Sequence, residues 1–392
     1  MTSSYGIDGL GSVAGIPGPG AIQVRDGRIT ALDGPTVPPT GPSPQLESEP
    51  RWLDGHGLLA VPGFVELQLN GAFGHDFTTD PAAMWRVGAN LARFGVTAFL
   101  PTIVSSPRGT VEAALDAWRA PAPEATGAVP LGLHVEGPFL APERAGAHEP
   151  AALRDPDLDE LRAWIATGGL SMLTLAPERP GAIDAIRLLA DSGVVAAVGH
   201  TSADAATAAG AIDAGARYAT HLFNAMPPFE HRAPGAAGAL LADPRVVVGL
   251  ILDQHHLDPI VVALVERAAR GRISLVSDAI AALGLPDGSY PLGGSEVTVR
   301  DGAARLRDGT LAGSATTLDA CVRAFAALTG SAEEAVASVT AVPARLLSLP
   351  DGRGRLEVGG RADVVLVDAE LEVQATIVGG EVAFAAEWLA WR

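Results

Sequence analysis

Between about residues 62 and 345, short apolar runs alternate with stretches whose Ala, Leu and Ile recur at helical spacing. Eight runs read as strands: FVELQL (64–69), VTAFLPT (96–102), PLGLHVE (130–136), MLTLAP (172–177), VVAAVGH (194–200), RYATHL (217–222), VVVGLILD (246–253) and ISLVSD (273–278). Their near-continuous apolar character predicts strands buried on both faces, as in a parallel sheet. Helical patterns such as AAMWRVGANLARFG, GAIDAIRLLADSG and ADAATAAGAIDAG lie between most of them and end on a Gly suited to the position after a helix. Eight strands with helical crossovers is the count of a (β/α)8 barrel.

The two ends differ. Residues 20–32 predict two strands about the Asp26-Gly27 turn, and 354–384 predict several more separated by Gly pairs and acidic turns. The fold class is therefore α/β: a barrel over 62–348, with a small β-sandwich domain built from both chain ends, 1–61 and 349–392. Residues 34–50 carry six of the prolines and predict an exposed loop within the first β segment. VTVR (297–300) and AARL (303–306) about Asp301-Gly302 predict a hairpin inserted after the eighth strand, and a helix pair over 315–348 leads back to the β-domain.

Composition narrows the chemistry. All 27 basic residues are Arg, against 45 acids, for a net charge of −18. Such a field repels nucleic acid and anionic membranes. The absence of Lys excludes Schiff-base catalysis, Walker-type phosphate loops and metal pairs bridged by a carbamylated lysine. The one cysteine, Cys321, has no partner for a disulfide or a thiolate site. Without a signal-peptide pattern or an apolar run near 20 residues, the chain reads as soluble and cytoplasmic.

Polar residues close the apolar runs. Strand one ends in Gln68 and Asn70, strand three in His134 and Glu136, strand five in His200, strand six in His221 and strand eight in Asp278. In a barrel these C-terminal ends converge on one axis, where active sites form. Any one of these His reads equally well as a satisfied core hydrogen bond, and Asp278 as a helix N-cap. Together, Glu136, His200 and His221 make three N/O ligands that leave a position for water, the pattern of a catalytic zinc. An ion there would bring the water pKa to roughly 7, and Asp278 is placed to take its proton.

These residues lie in longer stretches: PGFVELQLNG (62–71), HVEGPFL (134–140), the GAH of ERAGAHEP (143–150), VGHTSAD (198–204), HLFNAMPPFEHRAPG (221–235), ILDQHHLD (251–258), LVSDAIAALG (275–284) and GTLAGSATTLD (309–319). In that order they resemble the N-acetylglucosamine-6-phosphate deacetylases of the amidohydrolase superfamily. The resemblance implies that Glu136, His200 and His221 hold one divalent ion per chain, zinc being the expected metal and iron, cobalt or manganese compatible with the same ligands. It implies that Asp278 is the general base and acid, and that Ala147 and His148 meet the substrate with His148 at the acetamide carbonyl. Asn224, Ala225, Arg232 and His256 would hold the sugar phosphate, with His255 competing for the role of His256, while Leu311, Ala312 and Gly313 would line the pocket. It further implies a homodimer.

Two departures from the family pattern stand out. Gln68-Leu69-Asn70 replaces the His-x-His of many amidohydrolases, and neutral amides are poor ligands for a transition metal, so a second tightly held ion is not expected. Serine precedes Asp278 where threonine is commoner. Alternatives are a deacetylase for another N-acetyl amino sugar phosphate, such as the galactosamine epimer, and a non-catalytic barrel scaffold. His134 is expected to orient Glu136 rather than bind metal, and His56, His75 and His231 to be structural.

Overall fold

The computed structural model describes residues 4–13, 16–33, 51–120 and 127–391. The proline-rich stretch 34–50, read as a loop, lies outside them. The eight apolar runs form eight parallel strands, Phe64–Leu69, Val96–Val104, Leu133–Glu136, Leu170–Leu175, Val195–Val198, Tyr218–Ala219, Val247–Ile251 and Ile273–Val276, each paired with the next in sequence. The ring closes where the Asp278 N–H donates to Gln68 O (3.0 Å) and the Asn70 N–H donates to Ala279 O (2.8 Å). This is the predicted (β/α)8 barrel.

Alternation along the strands explains the two concentric cores. Val65, Leu67, Ala98, Leu100, Met172, Ala197, Tyr218 and Val276 fill the barrel, while Phe99, Ile103, Leu133, Val135, Leu173 and Leu175 face the helices outside. Each fully buried Val, Leu or Phe contributes about 1.5–3 kcal/mol. Two of the surrounding helices begin on acidic side chains that satisfy free N–H groups: Asp204 accepts from Thr207 N (2.7 Å), and Asp258, just before Pro259, accepts from Ile260 N (2.8 Å).

The structure departs from the pattern in three places. The sixth strand is only two residues long, because the chain leaves extended geometry by His221, whose φ is 27°. The predicted hairpin after strand eight gains a third strand, Gly288–Leu292, beside Ser295–Arg300 and Ala303–Arg305. The predicted helix pair is three helices, Leu318–Thr329, Ala332–Val339 and Ala341–Leu346.

Strands from both ends of the chain make one eight-stranded sheet. Its central strand, Ser4–Val13, is bulged and takes Arg51–Asp54 and then Leu59–Pro62 along the same edge. The sheet therefore folds over a shared core of Ile7, Leu10, Ile22, Leu53, Val364, Leu366 and Ile377. The turn glycines Gly27 and Gly380 make this possible: a Cβ on Gly380 would lie 2.7 Å from the Cα of Gly27.

Candidate active site

At the C-terminal ends of the strands, three ligand-type atoms converge. Glu136 Oε1 is 3.0 Å from His221 Nε2 and 3.3 Å from His200 Nε2, and the two imidazole nitrogens are 3.1 Å apart. The backbone is bent to do this, since His200 (φ 48°), His221 (φ 27°) and Asp278 (φ 49°) all leave their strands in the left-handed region. That conformation costs a non-glycine residue on the order of 1–3 kcal/mol and clusters at functional sites. Asp278 caps no helix; the next one begins at Leu318.

The hydrogen bonds test whether a cation fits. His200 Nδ1 lies 2.9 Å from the Arg144 carbonyl, which can only accept, so the ring proton sits there and Nε2 offers a lone pair. That lone pair faces a carboxylate oxygen and a second imidazole nitrogen, and one proton can serve only one of these contacts. Ligand atoms 2.0–2.2 Å from a tetrahedral ion lie about 3.3–3.6 Å apart, slightly above the separations here. A divalent cation fits this donor set. Glu136 is suited to it: burial alone would raise its pKa, yet the neighbouring His200 and His221 outweigh burial and hold it well below the ordinary value.

His148 also lies within ligand distance, its Nε2 3.9 Å from Glu136 Oε2; with Glu136 and His200 it offers atoms within 4.8 Å of one another. Its tautomer argues against coordination. The backbone N–H of Ser105 donates to Nδ1 (3.1 Å), so the neutral ring carries its proton on Nε2 and presents a donor. Burial, reinforced by the neighbouring His200, pushes its pKa down to about 3 and keeps it neutral. His134 is spent differently: Nδ1 meets Leu67 O (3.2 Å) and Nε2 meets Thr174 Oγ1 (2.8 Å). Those bonds run to the barrel wall rather than to the Glu136 carboxylate.

Asp278 is held by two carboxamides. Gln68 Nε2 donates to Asp278 Oδ1 (3.0 Å) and to Glu136 Oε1 (3.1 Å), and Asn70 Nδ2 donates to the same Asp278 oxygen (2.8 Å). N–H groups therefore occupy the space beside these acids. Burial, and next the charge of Glu136, pushes the Asp278 carboxyl up to about 6.

Above this centre opens a cavity of about 290 Å³. Ala147, His148, Asn224, Ala225, His256, Leu311 and Gly313 line it, with Glu136, His200, His221 and Asp278 at its base. Ala312 is buried against the inserted hairpin instead. Arg232 is exposed beside the Glu230–Ala233 bridge and does not line the cavity. Of the two adjacent histidines, His256 faces inward, its Nδ1 2.8 Å from Asp253 Oδ2, whereas His255 is exposed. Two residues that sequence reasoning missed belong here. Arg144 lines the cavity with its Nε donating to Ser202 Oγ (3.2 Å), and its nearness to the GAH stretch was the available signal. Ser105 follows the second strand, so the rule that found the other strand-end residues applied to it too.

Comparison with known proteins agrees. Residues 59–384 match the model of the amidohydrolase family. The chain belongs to that family. It is 39% identical over 350 residues to the N-acetylglucosamine-6-phosphate deacetylase of Bos taurus, covering 85% of each chain. A crystal structure of the Pasteurella multocida N-acetylglucosamine-6-phosphate deacetylase superposes with TM-score 0.90 at 28% identity, covering 98% of this chain and 100% of that one. A Mycobacterium smegmatis N-acetyl-D-glucosamine-6-phosphate deacetylase, an aspartate-to-alanine variant in complex with N-acetyl-D-glucosamine-6-phosphate, gives TM-score 0.86 at 34% identity over 98% of this chain and 100% of that one.

Proposed function

We propose that the protein hydrolyses the acetamide of N-acetylglucosamine 6-phosphate to glucosamine 6-phosphate and acetate. The observation that carries this reading is the convergence of Glu136, His200 and His221 beside an Asp278 held by two carboxamides, under a cavity of sugar-phosphate size. Glu136, His200 and His221 would hold one divalent ion, zinc being the favoured metal; such an ion lowers the pKa of water to about 7 and polarises a carbonyl. Asp278 takes the proton of the attacking water and returns it to the departing amine. His148 donates from Nε2 to the acetyl oxygen as negative charge gathers there.

Recognition follows from what faces the cavity. Arg144 is a guanidinium inside it and suits the phosphate, with His256, whose ring Asp253 orients, and Asn224 beside it. Ala147, Ala225, Leu311 and Gly313 shape the walls, and Ala312 supports them from behind. Arg232, exposed on its turn, would reach a phosphate only from a second copy of the chain, which ties its role to the expected homodimer. Phe229 on the same loop and Ile260 and Leu264 on one helix are exposed and apolar, which suits such an interface. A cytoplasmic location accords with the lone buried cysteine, and among the described residues no helix is long and apolar enough to cross a membrane.

Acetate release and metal content, measured with N-acetylglucosamine 6-phosphate, its galactosamine epimer and N-acetylglucosamine, test the reading. One metal per chain and the highest kcat/KM on the first sugar are expected. Equal kcat/KM without the phosphate would overturn the phosphate site, and preference for the epimer would overturn the sugar assignment.

A further inference from the structure

One buried carboxylate has no part in the scheme above. Glu66 is 2% exposed and sits in the first strand, two residues before Gln68. Strict alternation would put both on one face, but they diverge. Across the pairing with the second strand, Glu66 opposes Phe99 and Leu69 opposes Pro101, so the first strand carries one extra residue. Gln68 turns toward Glu136 and Asp278, while Glu66 turns outward among Leu69, Leu91, Phe94 and Leu318.

On the other edge of the first strand, where the barrel closes against the end of the eighth, two backbone N–H groups face Glu66. Glu66 takes both: Oε1 accepts from Gln68 N (3.0 Å) and Oε2 from Ser277 N (2.9 Å). The first belongs to the residue whose carboxamide spans Glu136 and Asp278. The second belongs to the residue just before Asp278. A carboxylate in an apolar wall is costly, and burial pushes its pKa up to about 7. An ordinary strand pair would satisfy the seam with backbone carbonyls alone.

We propose that Glu66 is a positioning residue for the hydrolysis, fixing Asp278 relative to Glu136 by gripping both strands from which Gln68 and Asp278 project. This rests on the deacetylase reading for its effect on rate. Its structural content is independent of that reading: one side chain ties the first strand at Gln68 to the end of the eighth at Ser277.

Glu66→Gln keeps shape but can accept well from only one of the two N–H groups. Relative to wild type, kcat on N-acetylglucosamine 6-phosphate should fall about 10- to 100-fold with KM within about threefold, as for residues that orient functional groups. The Gln68 or Ser277 amide should lose hydrogen-exchange protection. Val65→Ala, which only removes packing inside the barrel, should lower Tm at least as much and keep its kcat. An unchanged kcat in folded Glu66→Gln, or a matching kcat loss in Val65→Ala, overturns the proposal. Should wild type itself fail to release acetate, the deacetylase reading falls, and the amides decide alone: protection undiminished in Glu66→Gln overturns the role of Glu66.

Discussion

The backbone N–H of Ser105 points at His148 Nδ1 from 3.1 Å, and Ser105 Oγ stands 2.9 Å from the same nitrogen. The ring is therefore an acceptor at Nδ1 and a donor at Nε2, the arrangement needed to polarise a carbonyl and the wrong one for binding a cation. His148→Ala should accordingly keep its metal while kcat falls about 10²- to 10³-fold, the range for removing one donor to a developing oxyanion. Elemental analysis beside steady-state kinetics checks this. Metal lost in proportion to activity would make His148 a ligand instead.

The pH dependence of turnover should report Asp278. Burial and the Glu136 charge set its pKa at about 6, and a cation in the site draws it lower. Because the ionised form accepts the proton, kcat should be level above this value and fall as pH drops through it, placing the acid limb at or below about pH 6. Asp278→Asn should bind metal as wild type does, lose about 10²- to 10⁴-fold in kcat and show no acid limb. A variant with wild-type turnover would take Asp278 out of the mechanism.

How far the sequence revealed this site depends on which physical rule placed each residue. Glu136, His200, His221 and Asp278 were legible because a parallel barrel points every strand end at one axis, and the apolar runs located those ends within two or three residues. The barrel was legible for the same reason, apart from the short sixth strand, which the bend at His221 cuts off, the third strand of the inserted sheet and the third helix that follows it. Gln68 was legible as a residue but not as a bridge. Nothing in a period-two pattern announces an extra residue in the strand, and the bulge alone separates Gln68 from Glu66. Arg144 was missed because it ends a single 3-10 turn, Pro142–Arg144, beyond the third strand, whose placement follows from tertiary contacts such as that between its carbonyl and His200 Nδ1. For Arg232 a motif gives the residue type but not the side chain's direction: it is exposed on its turn and does not line the cavity of its own chain.

Arg144 and Arg232 therefore make separable predictions. With Arg144 inside the cavity, Arg144→Ala should lower kcat/KM for the phosphorylated sugar about 10- to 100-fold, as expected on losing a charge-assisted hydrogen bond. The rate on the unphosphorylated sugar should change little, so the preference for phosphate shrinks. Arg232→Ala should reproduce that loss only in an assembled dimer. Kinetics on both sugars, with sedimentation velocity for assembly, separates the cases; a normal phosphate preference in Arg144→Ala would remove that guanidinium from the site.

Glu66 makes a prediction about stability whose sign is fixed by its burial. In the unfolded chain its carboxyl titrates near 4.5, and in the fold burial pushes it up to about 7. The folded state thus favours the protonated form, and the associated stability is fully present below about pH 4.5 and is lost as pH rises through about 7. Glu66→Gln carries no ionisable group there, so the stability of wild type relative to the variant should decline across this window by on the order of 3 kcal/mol at most. Urea unfolding of both proteins at pH 5 and pH 8 measures the difference directly, and titrations common to the two cancel. A difference that stays constant or grows toward high pH would show that the paired N–H groups of Gln68 and Ser277 keep Glu66 ionised in the fold despite its apolar surroundings.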